Sequence, residues 1–492
     1  MEGKHHPISP SLAVLTSIGC LLIFAATAPA QFTANYQTNT ISNVTSNWVG
    51  NGTYVVGSNT FADVLLIQSS GVLSNGSGCL GYVSSNNTAQ VTGNNSVWYN
   101  DSGVYVGYIG WANSLIISGG GRVENSSGYV GYGTYGSSNN SVLVTDSGSV
   151  WSNASALMIG NGGAGNSLVI SNQGQVMDAS GYIGQNAGAS GNTAVITGSG
   201  SAWHNSSLLA VGDFGAGNTL VVTDGGRVDN SLGIVGLNPT SSNNAVLVSG
   251  NGSVWSNGSY LSVGNLGSGN SLVISNSGQV VDGSGYLGYN SASSSNTVLV
   301  ADGGIWQNGS LYAGYLGSGN SLVVDGGSVL ATNLTMGLDS ATCNNLVQLD
   351  SGSIIVTDAA HNAVLELRDG QLILNGGVVQ ADTLLITNTC AQFVHNGGSL
   401  VLGNVVLDPN FFRIVSVTQQ SNDMLVTWMM GPGATNALQA TAGDQDGQYG
   451  ADGFTNIFVV TNNPSLGTVT NYLDLGAATN TPTRYYRVRL TP

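Results

Sequence analysis

Histidine, which titrates near neutral pH and is the commonest metal ligand, is rare in this sequence. Only five histidines occur among 492 residues, and His204, His361 and His395 are scattered through the chain. Their spacing does not match the short intervals that separate zinc ligands. We therefore interpret them as surface or turn residues and predict no metal site and no cofactor.

Two charged pairs are the next candidates for chemistry. Arg122 lies two residues before Glu124, and the same spacing separates Arg227 from Asp229. A polysaccharide lyase or hydrolase would need such carboxylates and bases in one local cluster. These pairs are far apart, and Gln175 takes the arginine's place in the segment between them. This pattern is typical of a polar outer stripe, so we predict no catalytic residue.

Two segments carry part of a calcium-binding pattern. The run from Gly162 to Leu168 is similar to a calcium nonapeptide, but Ser167 stands where the motif needs an aspartate. In the run Asp444-Gln445-Asp446-Gly447, Gly453 stands where a calcium loop needs its bidentate glutamate. Neither segment offers enough carboxylate oxygens, so we expect no calcium requirement.

A repeated segment organises most of the chain. The stretch from Gly269 to Asn290 opens on an asparagine, alternates apolar and polar residues, and continues through two further short runs to Gly288. A fixed period of about 26 residues with three strand-like runs predicts a parallel β-helix, with about 25 residues in each coil. Asp63 fits one step before the first asparagine of the series. The opening asparagines are Asn87, Asn113, Asn140, Asn166, Asn192, Asn218, Asn244, Asn270, Asn296, Asn320 and Asn345.

The alternation also indicates which side chains face inward. Counting from the opening asparagine, the second position holds Ala, Val or Leu and the fourth holds only Val or Ile. Because side chains alternate across a strand, both of these positions and the asparagine itself share the inner face. We predict that the asparagines form an internal structural ladder, in which stacked amides satisfy the backbone groups of the turns.

Every second coil carries a tryptophan in its second run, where the other coils carry a valine. Tryptophan coils hold Ala or Val at the second position, whereas the others hold Leu, which indicates compensating volumes in a packed core. If the indoles faced outward, they would instead form a platform for stacking sugars. We favour a buried core for Trp98, Trp151, Trp203, Trp255 and Trp306.

The whole chain divides into five segments, of which the regular repeats are the third. Residues 1–30 have the basic start, apolar run and Ala28-Pro29-Ala30 site of a signal peptide, and no later segment is apolar enough to span a membrane. Residues 31–62 are predicted as an irregular lead-in and cap, residues 63–345 as regular repeats, and residues 346–410 as irregular last coils. Six strand-like runs in residues 411–492, with Trp428 as their core tryptophan, predict a small β-sandwich.

Charge and cysteine content limit the partners and the compartment. The net charge is −16 and only 7% of residues are charged, against about 25% in ordinary globular proteins. An acidic, arginine-poor surface argues against a nucleic-acid partner. Cys343 and Cys390 could pair in an oxidising compartment, and Cys79 is expected to be a buried free thiol.

The two kinds of coil carry a family resemblance. Gly252-Ser253-Val254-Trp255-Ser256-Asn257, followed by the stretch from Gly269 to Ser275, resembles the repeat shared by bacterial autotransporter (type V secretion) passengers and PEP-CTERM proteins. The resemblance covers about residues 63–345. It implies an exported or surface protein of a bacterium with a β-helical body, and it implies no activity and no catalytic residues.

Two functions from different classes remain compatible with the sequence. The one we favour is a non-catalytic exported or cell-surface protein of the adhesion or extracellular-matrix type. Its partners would be extracellular glycans or other surface proteins. The alternative is a carbohydrate-binding or polysaccharide-processing β-helix protein, because β-helices commonly host such enzymes.

Overall fold

The computed structural model describes residues 32–47, 52–134, 136–338, 344–387, 391–407, 413–429, 435–443, 448–450, 453–461, 469–479 and 483–491. Residues 1–30, which are predicted to be a signal peptide, lie outside these residues, as do Cys343, Cys390 and the acidic run 444–447. The described chain is all-β, with a parallel β-solenoid of about 14 coils and small antiparallel sheets near the C-terminus. At a spacing of about 4.8 Å per coil, the solenoid is roughly 65 Å long. The predicted fold class is therefore confirmed.

In the first coils, turns separate three short strands. Within each strand the backbone is extended, and side chains alternate between a buried and a partly exposed position. These strands are β1 (Thr38–Ser42), β2 (Thr45–Asn47), β3 (Thr53–Val56), β4 (Val64–Gln68), β5 (Val72–Asn75), β6 (Ser77–Leu80), β7 (Thr88–Thr92), β8 (Val97–Asn100), β9 (Gly103–Val106), β10 (Ser114–Ser118), β11 (Arg122–Asn125), β12 (Ser127–Val130), β13 (Ser141–Thr145), β14 (Val150–Asn153), β15 (Ala156–Ile159) and β16 (Ser167–Ser171).

In the later coils, the second and third runs mostly join into one longer strand. The strands are β17 (Gln175–Ile183), β18 (Thr193–Thr197), β19 (Ala202–Val211), β20 (Thr219–Thr223), β21 (Arg227–Val235), β22 (Ala245–Ser249), β23 (Val254–Val263), β24 (Ser271–Ser275), β25 (Gln279–Leu287), β26 (Thr297–Ala301), β27 (Ile305–Ala313), β28 (Ser321–Met336), β29 (Leu346–Val356), β30 (Val364–Leu367), β31 (Gly370–Leu374), β32 (Val378–Ile386), β33 (Ala391–His395) and β34 (Ser399–Leu407).

Neighbouring coils pair in parallel so that equivalent residues stack on one another, and β-bulges shift the register between the second and third runs of some coils. The second and fourth positions face the interior, as predicted: in β18, Ala194 and Ile196 are fully buried, whereas Thr193 between the turn and Ala194 is partly exposed. Ala194 stacks between Leu168 and Leu220 of the neighbouring coils. A single hydrophobic core follows from this register and runs the length of the solenoid.

The solenoid begins earlier than the predicted boundary at residue 63. β1 pairs with β4, β2 with β5 and β3 with β6, so the segment predicted as an irregular lead-in contains a complete coil. Gln37 takes the place of the opening asparagine there, and its backbone N–H donates to Asp63 Oδ1 at 3.0 Å. The backbone of Gln37 thus supplies the donor of this coil without an asparagine side chain.

The C-terminal strands form two antiparallel sheets with a common core. β35 (Ile414–Gln420), β36 (Asp423–Met429) and β39 (Val469–Asp474) form one sheet, and β37 (Thr435–Ala442), β38 (Thr455–Val460) and β40 (Arg484–Thr491) form the other. A 3₁₀ turn, Ala477–Thr479, precedes β40. Buried Val426, Trp428 and Leu438 come from both sheets, which makes this region the sandwich predicted from its six strand-like runs.

Candidate functional site

The predicted asparagine ladder runs through one corner of the solenoid. All eleven opening asparagines are at most 1% exposed. Along the series, the backbone N–H and the side-chain Nδ2 of each asparagine both donate to Oδ1 of the next asparagine. For Asn192 and Asn218 these distances are 2.9 Å and 3.0 Å. Asp63 begins the ladder, since its backbone N–H donates to Asn87 Oδ1 at 3.1 Å.

A glycine that ends the third strand makes room for each ladder amide. These glycines have φ between +65° and +79°, a region that L side chains rarely adopt. A Cβ on any of them would also collide with the asparagine of a following coil. The repeating glycine was visible in the sequence, but its contact with the ladder was not predicted. The glycines are Gly57, Gly81, Gly107, Gly131, Gly160, Gly184, Gly212, Gly236, Gly264, Gly288 and Gly314.

The five repeat tryptophans lie in the core. Trp98, Trp151, Trp203, Trp255 and Trp306 are all 0% exposed. This burial removes the outward-facing sugar platform as an explanation of these residues. Trp306 stacks on Val280, in the register expected from the sequence.

Each indole nitrogen donates to a second internal ladder, which sequence reasoning missed. Trp151 Nε1 donates to Asn125 Oδ1 at 2.8 Å, and Trp203 Nε1 donates to Asp178 Oδ2 at 2.7 Å. The acceptor always lies on the coil before the tryptophan. This second ladder consists of Asn75, Asn100, Asn125, Asn153, Asp178, Asn205, Asn230, Asn257, Asp282 and Asn308.

Glycines in the third strand make room for the indoles. A Cβ on Gly181 would lie 2.7 Å from Trp203 Cζ2, and one on Gly128 would lie 2.6 Å from Trp151 Cζ2. In the tryptophan coils, leucine or valine stacks at this place, for example Leu209 on Gly181. The space for each indole therefore comes from two places: the small residue at the second position of its own coil, and the glycine in the third strand of the preceding coil.

On the outer face, tyrosines stack along the axis in two groups. Tyr105 and Tyr129 are parallel with their centroids 4.8 Å apart, and so are Tyr286 and Tyr312 at 5.1 Å. Further tyrosines pack edge-on against each pair, including Tyr132 in the first group. Because stacked rings cover one another's faces, these groups present mainly ring edges and hydroxyls to solvent.

An apolar patch lies beside the first tyrosine group. Trp111 is 50% exposed, and Val83 and Ile109 are exposed on neighbouring coils. Ile109 follows Tyr108, which stacks on Tyr82 and Tyr132. Trp111 has no counterpart in the other coils, so the repeat did not predict its exposure. We call Val83, Ile109 and Trp111 the apolar patch.

The charged pairs lie on the outer surface, as the sequence predicted. Arg122 bonds Glu124 at 2.8 Å, and Asp229 contacts Arg227 at 2.5 Å and His204 Nδ1 at 3.0 Å. A shallow groove of about 230 Å³ adjoins Glu124. In the described part of the chain, no three His, Cys, Asp or Glu residues are grouped so that they could hold a metal ion.

The surroundings of His361 and of the buried Cys79 indicate structural roles for both residues. His361 is largely exposed and contacts Asp382 at 3.2 Å. Backbone hydrogen bonds, the one from Asp358 first, lower the pKa of Asp382. Cys79 is a buried free thiol, and burial raises its pKa to about 12, which makes it a poor nucleophile. It stacks between Val55 and Tyr105.

Comparison with known proteins finds no family model, no curated protein and no solved structure that matches this chain. Among the described residues, no helix is long and apolar enough to cross a membrane. The functional interpretation therefore rests on the residues and their geometry.

Proposed function

We propose that this chain is a non-catalytic, exported rod that serves as a structural or adhesive component at a bacterial cell surface or in its extracellular matrix. The burial of the repeating residues supports this most directly. The asparagine ladder and the five repeat tryptophans are at most 1% exposed, whereas the outward position of Arg122 in β11 is held by Val150 and Gln175 in the next two coils. The repeat thus specifies a shape rather than a site.

The positions of the charged pairs argue against polysaccharide hydrolysis. Glu124 and Asp229 are four coils apart, which is roughly 19 Å at about 4.8 Å per coil. Glycosidases place their two carboxyl groups about 5 to 10 Å apart. Each of these carboxylates is also paired with an arginine two residues before it.

A second candidate function, glycan binding, is favoured by the apolar patch. The indole of Trp111 is 50% exposed and can stack on the apolar face of a sugar ring. This function would make the rod an adhesin that holds glycans near its N-terminal coils. It is compatible with the first proposal and adds a ligand to it.

Two assays on the purified full-length chain test these proposals. Incubation with a panel of polysaccharides should release no reducing ends; release that is abolished by Glu124→Gln or Asp229→Asn would contradict the non-catalytic proposal. On a glycan array, Trp111→Ala should weaken any retention, whereas Phe214→Ala, which alters an exposed aromatic outside the patch, should not. Equal retention by both variants would reject the apolar patch as a glycan site.

A further inference from the structure

The second internal ladder contains two acids among its amides. In the coils that precede a tryptophan coil, the ladder residue is an asparagine at three places and an aspartate at two, Asp178 and Asp282. These two carboxyl groups lie in the core, 7% and 5% exposed. Every such residue accepts a hydrogen bond from the indole of the next coil, and for the two acids the distances are 2.7 and 2.9 Å.

The asparagines at the equivalent positions show the role of the second side-chain atom, the one that does not accept a hydrogen bond from the indole. Asn125 Nδ2 donates to Asn153 Oδ1 at 2.6 Å, and Asn230 Nδ2 donates to Asn257 Oδ1 at the same distance. An asparagine in a coil that precedes a tryptophan coil therefore donates one hydrogen bond to the amide oxygen of that next coil. An ionised carboxylate in that position could accept a hydrogen bond but could not donate one.

Asp178 and Asp282 have no amide nitrogen that could make this donation. Asp178 is aligned with Asn205, and neither Asp178 Oδ1 nor the Oδ1 and Nδ2 atoms of Asn205 have a hydrogen-bond partner. The same holds for the aligned pair Asp282 and Asn308. Asn205 Oδ1 keeps the orientation seen in the asparagine pairs, since it lies against Gly181 as Asn153 Oδ1 lies against Gly128.

We propose that Asp178 and Asp282 are protonated in the folded rod, and that each donates its O–H to the amide oxygen of the next coil. The protonated carboxyl group then replaces the asparagine amide found at the equivalent places: one oxygen accepts from the indole, and the other carries the donor. Unfolding exposes both groups to water, and each releases its proton to solvent. Lowering the pH therefore stabilises the rod, and raising the pH destabilises the two coils that contain these acids.

The surroundings of the two acids support this state. The side chains that face Asp178 from the adjacent coils, Asn153, Trp203 and Asn205, carry no charge. The ionisable side chains on the same strand and the next, Tyr182 and His204, lie on the outer face.

Asp282 has equivalent surroundings. It is faced by Asn257, Trp306 and Asn308, and the nearby ionisable groups, Tyr260, Tyr286 and Tyr312, are likewise on the outer face. Burial raises the pKa of each acid to about 7, although the indole hydrogen bond acts in the opposite direction.

The sign of the pH dependence follows from proton binding. An unfolded aspartate ionises near pH 4, whereas the folded groups hold their protons to about pH 7. Between these values the folded state binds more protons, so stability falls as the pH rises. Each acid should lower the folding equilibrium constant about tenfold per pH unit in this window, and both together about a hundredfold if they unfold in one transition.

Urea unfolding of the full chain between pH 4 and pH 8 tests the proposal. The variant Asp178→Asn/Asp282→Asn should lose this slope and be more stable than the wild type at pH 8, because asparagine supplies the donor without a proton. Asp302→Asn is the control, since Asp302 is exposed and Asn276 occupies the same turn position one coil earlier. The reciprocal change, Asn230→Asp, should add a slope of about one proton.

An unchanged slope in the double variant would overturn the proposal. If the carboxylates are instead ionised and accept from Asn205 and Asn308 amides turned over to donate, the double variant should be less stable at every pH. Infrared spectroscopy gives an independent measurement: the wild type at pH 6 should show a protonated-carboxyl C=O band that the double variant lacks. Absence of that band from the wild type would also overturn the proposal.

Discussion

Replacement of Trp203 by alanine measures how much the buried indoles contribute to stability. The side chain is 0% exposed, its Cζ2 lies close to Gly181, and its Nε1 donates to Asp178 at 2.7 Å. Deleting a buried tryptophan typically costs about 3 to 5 kcal/mol through lost burial and the cavity left behind. The orphaned Asp178 oxygen adds about 1 to 3 kcal/mol unless the cavity admits water. We therefore expect Trp203→Ala to lose at least about 3 kcal/mol.

The assay is urea unfolding of the full chain followed by far-ultraviolet circular dichroism, which does not depend on the removed fluorophore. Trp111→Ala is the matched control: its indole is 50% exposed, and its loss should cost about 0.5 kcal/mol or less. Acrylamide quenching of the wild type should separate a small accessible fraction of emission from a large protected one. A loss below about 1 kcal/mol for Trp203→Ala, or equal losses in the two variants, would refute the packing interpretation.

Three further predictions concern the turns and the ladder. Asn192→Leu should cost about 1 to 3 kcal/mol in urea unfolding, because two donors of Asn166 lose their acceptor; a loss of a few tenths would count against the ladder. Gly212→Ala should destabilise the rod more than Gly217→Ala does, since both have positive φ but only Gly212 would collide with Asn244; equal effects would mean that strain alone matters. Millimolar calcium should not raise the melting temperature. A rise that persists without residues 411–492 would show that the asparagine and serine turns bind it.

The repeat made the coils and their inner face predictable. A fixed period together with an alternation of two leaves only one register in which the second and fourth positions share the core. The eleven asparagines were assigned inward on that basis, and they form the ladder. The first coil was missed because Gln37 replaces the asparagine that marks the coils from Asn87 to Asn345.

Features that depend on contacts between coils were harder to predict. Asn125 and Asp178 belong to one ladder, but the chemical difference between amide and acid hides that equivalence until the strands are aligned. The tyrosine groups depend on the register of the third strands, and these follow turns of variable length. Trp111 appears in one coil only, so no periodicity distinguishes it. A repeat reveals what every coil shares, whereas surface features belong to single coils.

Two neighbouring coils, one with a tryptophan and one with a glycine beneath the indole, form the packing unit of the rod. Deleting residues 193–244 removes one such pair and places Trp255 on Val176 and Leu261 on Gly181, which preserves the alternation. Deleting residues 193–218 removes a single coil and stacks Val228 on Val176 with no indole above Gly181. Urea unfolding should show a cooperative rod of nearly wild-type stability for the first deletion and a marked loss for the second. Equal stability of the two deletions would contradict the claim.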